Sequence, residues 1–118
     1  MVRSVEIGGF KPPPITTNSK GQLTNGTYTV NDINMAPHKT GATTGGKSQF
    51  MFYVDEEKAT LDAAAYADKA NLWSNNKAKV YVQNGPVGVS AKTSELTNWI
   101  NVYRTKTGLV HASPGNLP

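Results

Sequence analysis

The sequence predicts an α+β domain: a helix, or helices, packed on a four-stranded, mainly antiparallel sheet. Three observations carry this. Residues 55–73 form one alanine-rich stretch of strong helix propensity. Two stretches, around Val80 and around Ile100, alternate apolar and polar residues at the period of a half-buried strand. Two turn signals, Asn84-Gly85 and Arg104–Gly108, sit where strands would have to reverse. A length of 118 residues fits a single domain with a modest core.

Residues 1–20 read as an extended linker or arm, because Pro12-Pro13-Pro14 forbids a helix and favours polyproline II. Residues 21–118 read as the single folded domain. In it, Asn25-Gly26 marks a turn before a short strand candidate, Thr27 to Val30. Residues 36–48 read as a loop rich in Gly and Thr. Phe50 to Val54 is an apolar run, more strand than helix. Asp55 is a suitable N-cap, and Glu56 and Glu57 complement the positive end of the helix that follows. On that helix Ala59, Ala63, Tyr66, Ala67, Ala70 and Trp73 share one face, and Leu61, Ala65 and Leu72 another. Asp62 and Asp68 read as solvated helix surface. Ala78 to Gln83 and Val87 to Ala91 then flank Asn84-Gly85 as a first hairpin. Ser94 to Thr97 is a polar connection. Asn98 to Gly115 forms a second hairpin, with Gly108 free to take positive φ in its turn.

Several function classes fall away on composition. The chain has no cysteine, which removes disulfides, thiolate metal sites and cysteine nucleophiles together. No apolar run is long enough to span a membrane, and the N-terminus lacks the apolar core of a signal peptide. The net charge is +4 and is unevenly spread. Residues 55–72 carry five acidic and two basic groups, whereas residues 73–118 carry five basic and one acidic. A basic surface concentrates polyanions, chiefly nucleic acid. A mildly basic protein with no such partner has equal standing on charge alone.

Gly41-Ala-Thr-Thr-Gly-Gly46-Lys47-Ser48 fits the phosphate-loop pattern GxxxxGK[ST]. Its surroundings do not: a buried strand should precede it and a helix follow it, and Gln49 to Val54 is β-like. Such a loop can still hold a phosphate on its backbone amides. The two histidines, His38 and His111, each lie near lysine or arginine in loop or hairpin positions, as a general base and acid would. A lone histidine is more often a plain surface residue. No HxH, HExxH, GxSxG or clustered carboxylate occurs, so no metal and no cofactor is expected.

Metal-free cleavage of RNA needs only a base for the 2′-hydroxyl, an acid for the leaving 5′-oxygen and cations for the phosphorane. The expected catalytic set is His38, His111, Lys47, Arg104, Tyr103 and Thr105. Ser48, Lys39, Thr43 and Lys106 are the expected substrate-holding residues. Trp99, Tyr81 or Tyr103 can stack an unpaired base, although sheet packing explains Trp99 as well.

At these residues the chain resembles the C-terminal RNase toxin domains of bacterial polymorphic toxins, of the contact-dependent inhibition and Rhs type. The similarity is to those with the barnase–EndoU–colicin–RelE-like fold. It rests on His38 with Gly41, on Gly46-Lys47-Ser48, on the helix over 56–72, and on Ile100 to Gly108 with Val110-His111, and it covers about residues 36–115. The resemblance implies a helical part on a four-stranded sheet with an RNA site on the open face. It implies a cognate, often acidic, immunity protein and delivery at the end of a larger protein, for action in the cytoplasm of a target bacterium, with tRNA one possible substrate. The proline-rich start departs from the helical N-terminal part of that family. The alternative is a non-catalytic nucleic-acid or protein-binding module. Behind it stand a nucleotide-hydrolysing toxin and an NAD-dependent one; the NAD-dependent one wants a catalytic glutamate on a strand, and Glu95, in the polar connection, is the glutamate outside the first strand and the helix.

Overall fold

The computed structural model describes residues 4–38, 49–91 and 93–115. It is α+β, with strands β1 (Thr16–Thr17), β2 (Leu23–Thr24) and β3 (Thr29–Val30), then helix α1 (Asp32–Met35) and a 3₁₀ turn (Ala36–His38). After these come β4 (Gln49–Phe50), α2 (Glu56–Lys69), β5 (Lys77–Tyr81), β6 (Gly88–Val89), β7 (Leu96–Thr97), β8 (Trp99–Arg104) and β9 (Leu109–Gly115).

The expected four-stranded sheet is corrected to a larger one. Six strands run in the order β1-β2-β3-β9-β8-β5, and β4, β6 and β7 form a second, three-stranded sheet. The large sheet is mixed, because β3 lies parallel to β9. Its first three strands have two residues each, too few for a period of two to register in sequence. The second hairpin forms as expected: β8 pairs with β9 from Trp99↔Gly115 to Arg104↔Val110. Its turn closes with Gly108 at φ 86°, where a side chain would strain the backbone.

The first hairpin does not form. β5 pairs with β8, and β6 pairs with β4 and β7, so the chain changes sheets across Asn84-Gly85. Asn84 is engaged elsewhere: its side chain accepts from the Glu6 amide (2.9 Å) and donates to the Ser4 carbonyl (3.0 Å). The apolar run over 50–54 is also mostly not strand. Phe50 pairs within β4, Val54 forms a single bridge, and between them the Val54 amide closes a turn on the Met51 carbonyl (3.1 Å).

Helix α2 starts where Asp55 caps the Lys58 amide and packs across β5, β8 and β9. Leu61, Ala63, Ala64 and Ala67 meet Val80, Ile100, Val102, Val110 and Ala112 in a closed core. The small alanines let the helix approach the sheet. Asp62 is not solvated helix surface, whereas Asp68 is exposed as expected but engaged in hydrogen bonds. Asp62 is 2 % exposed and paired with Lys58 Nζ at 2.6 Å. Asp68 accepts from Tyr28 Oη and Trp73 Nε1, each at 2.7 Å. Residues 4–20 lie against this body, with Ile7 buried and Phe10 edge-on to Tyr66 at 5.5 Å.

Candidate active site

The strand register sorts β5, β8 and β9 into two faces. Ala78, Val80, Ile100, Val102, Val110 and Ala112 face α2, and their neighbours face away from it. On that opposite face three cross-strand rows stand side by side: Lys77–Tyr103–His111, Lys79–Asn101–Ser113 and Tyr81–Trp99–Gly115. The rows hold two lysines, a histidine and no acid.

His38 extends the first row. β3 covers only the start of β9, pairing at Leu109 and Val110, and the chain then turns away at Asn31. Asn31 caps α1 through the Asn34 amide, and the buried Met35 ends that helix. Met35 Sδ receives the Ala112 amide (3.2 Å) and the Thr60 hydroxyl (3.5 Å), tying α1 to both β9 and α2. The following 3₁₀ turn lies beside β9 and sets His38 next to His111.

The result is a ladder of rings. His38 and His111 have centroids 6.5 Å apart and planes 12° from parallel. His111 and Tyr103 are 4.9 Å apart and 14° from parallel. Lys77 Nζ lies 5.4 Å from the Tyr103 ring centre, within cation–π range. In the next row, Lys79 Nζ donates to Asn101 Oδ1 at 3.0 Å. Partial burial holds the His111 pKa below the ordinary histidine value, and the neighbouring His38 pushes it the same way.

The structure thus brings His38, His111 and Tyr103 together. It does not bring Arg104 to them. Arg104 follows Tyr103 on the strand and so points to the helix side. There its guanidinium donates to Tyr28 Oη (3.2 Å) and Asn76 Oδ1 (3.0 Å) and lies 4.3 Å from the Trp73 ring centre. Burial and the hydrogen bond to Asp68 raise the Tyr28 pKa, against the pull of Arg104. Thr105 and Lys106 sit in the turn beyond the ladder. Thr105 Oγ1 is held by Thr107 Oγ1 (3.0 Å) and the Leu109 amide (3.1 Å), and both residues line a separate cleft with Tyr28, Asn76 and Arg104. Lys39, Thr43, Lys47 and Ser48 lie outside the described residues.

Lys77, Lys79, Asn101 and Ser113 share this face and belong to no motif in the sequence. The strand alternation that identified Ala78 and Val80 as inward also makes Lys77 and Lys79 outward, so the signal was present. Among the described residues, no three histidine or acidic side chains converge as a metal site, and no helix is long and apolar enough to cross a membrane. Compared with known proteins, the chain matches no family model and no curated sequence.

Proposed function

We propose that the chain is a metal-independent endoribonuclease that uses His111 as general base and His38 as general acid. The observation that carries this is the pair of near-parallel imidazoles 6.5 Å apart on a lysine-bearing sheet face. A phosphate seated over this end of the row is within reach of both rings. Neutral His111 takes the proton of the ribose 2′-hydroxyl as that oxygen bonds to phosphorus. The bond from phosphorus to the 5′-oxygen breaks, and His38 gives its proton to the leaving oxygen. The products are a 2′,3′-cyclic phosphate and a free 5′-hydroxyl. Lys77 and Lys79 supply the cationic field for the phosphorane, the role expected of Arg104, and fixed donors of this kind are worth several kcal/mol in a transition state. Tyr103 backs His111 and limits its rotation.

The barnase-like arrangement belongs to the same proposal. It is supported by a helix layer on one side of the sheet and a site on the other. So do the toxin role, delivery by a larger protein into a target bacterium, and an acidic immunity protein that covers the basic face.

Incubation of total RNA with the protein in EDTA tests the reading. The wild type should fragment RNA and leave cyclic phosphate ends. His111→Ala and His38→Ala should each slow cleavage by roughly 10²–10⁴-fold. RNA that stays intact at micromolar protein would overturn the nuclease reading. Cleavage that returns only with added divalent metal would overturn the metal-free mechanism.

A further inference from the structure

The catalytic row continues into a groove that the two histidines do not use. Trp99, Leu72, Ser74, Lys77, Ala78 and Lys79 line a cavity of about 530 Å³ along the outer edge of β5. Its lining is mainly apolar and includes two lysines, Lys77 and Lys79. Lys77 belongs both to this groove and to the row that ends at His111. Trp99 is half-buried and meets Tyr81 edge-on, with ring centres 5.3 Å apart and planes at 67°. Tyr81 is 48 % exposed.

We propose that this groove is a subsite for one unpaired nucleotide of a single-stranded RNA whose reacting phosphate lies at the His111–His38 end of the face. The proposal rests on the ribonuclease reading and adds where the strand runs and which form of RNA fits. A base edge entering the groove meets the Trp99 indole and the Leu72 side chain, an apolar slot suited to a flat ring. The adjoining phosphates meet Lys79 and Lys77, whose rows are two residues apart along the strand, roughly 6.5–7 Å. The strand therefore crosses the sheet along β5 and β8, from Trp99 toward His111. A base inside a duplex is already stacked and cannot enter the slot, whereas an unpaired base exposes its face. Charge favours RNA over a peptide here, since the three rows hold lysines and no carboxylate.

Fluorescence anisotropy with a labelled, fully 2′-O-methylated RNA dodecamer separates this from the cleavage chemistry, because the probe has no 2′-hydroxyl to react. The single strand should bind tighter than the same strand annealed to its complement. Trp99→Ala should weaken single-strand binding on the order of 10-fold to 100-fold, and Trp99→Phe should restore most of it. Tyr81→Ala, at a more exposed position, should weaken it in the same direction, and it keeps the test valid if Trp99→Ala fails to fold. Glu57→Gln, on α2 and outside the three rows, should bind the probe as the wild type does. Equal affinity for duplex and single strand, or unchanged binding by folded Trp99→Ala or Tyr81→Ala, would overturn the subsite. If binding depends on Trp99 but natural RNA stays intact, the subsite stands and the ribonuclease reading falls. Cleavage that persists while the Trp99 and Tyr81 variants bind normally removes the subsite alone.

Discussion

His111 owes its lowered pKa to two causes of unequal weight, and they can be separated. Burial is the larger and His38 the smaller. His38→Ala should therefore raise the His111 pKa without returning it to the ordinary value of about 6.5. An NMR titration of the His111 ring checks this; a fall, or no movement, would show that the rings are not neighbours in solution. The sign for catalysis follows. A base with a lowered pKa stays neutral further into acid, so the acid limb of kcat/KM should lie below pH 6.5. The sign for stability runs the same way. The unfolded chain binds a proton at His111 before the folded one does, so stability falls as pH drops from about 6.5 through the folded value. Arg104 gives the contrasting case. Its partners are Tyr28, Asn76, Trp73 and, as an ion pair at 3.7 Å, Asp68, on the helix side of the sheet. Arg104→Ala should cost about 1–3 kcal/mol in urea unfolding while leaving cleavage per folded molecule near the wild-type rate. A loss of rate with normal stability would return Arg104 to the site.

At the scale of elements, the long pieces were legible and the short ones were not. The helix expected over 55–73 and the hairpin over 98–115 carry enough residues for a period to declare itself; the hairpin forms where expected, and the helix forms over Glu56–Lys69, ending short of Leu72 and Trp73. α1 and the 3₁₀ turn total seven residues between Asp32 and His38, and nothing periodic announces them. Yet they place His38. No local pattern encodes the meeting of the two histidines, because it depends on β3 leaving the edge of β9 after Val110. Asn84-Gly85 shows the opposite failure: a strong local signal overruled when the Asn84 side chain bonded to Ser4 and Glu6. Met35 is the element's anchor, fully buried and bonded through sulfur to β9 and α2. Met35→Ala should cost about 2–5 kcal/mol and, by loosening α1, should move the His111 titration in the direction of the His38→Ala variant. A destabilised protein with an unchanged His111 titration would show that His38 is held by other contacts.

Among the described residues, the sheet separates most of the acid from the lysines of β5. Asp55, Glu56, Glu57, Asp62 and Asp68 all belong to α2 or its cap, on one side. Lys77 and Lys79 lie on the other, with the histidine ladder. The uneven charge that the sequence shows along its length thus becomes a difference between two faces, since one helix carries most of the acid and packs on the sheet by its alanines. A net charge of +4 is too small to direct a polyanion by itself. A face without carboxylates, shielded by the sheet from an acidic helix, directs it far better. This makes a quantitative demand on binding. Affinity for single-stranded RNA should fall linearly in log–log form with salt, because each neutralised phosphate releases counterions. Lys77→Gln and Lys79→Gln should each flatten that slope by about 0.7, and Glu57→Gln, on α2, should leave it unchanged. Slopes insensitive to the two lysines, or equally sensitive to Glu57, would mean that the polyanion is held by net charge over the whole surface and not by this face.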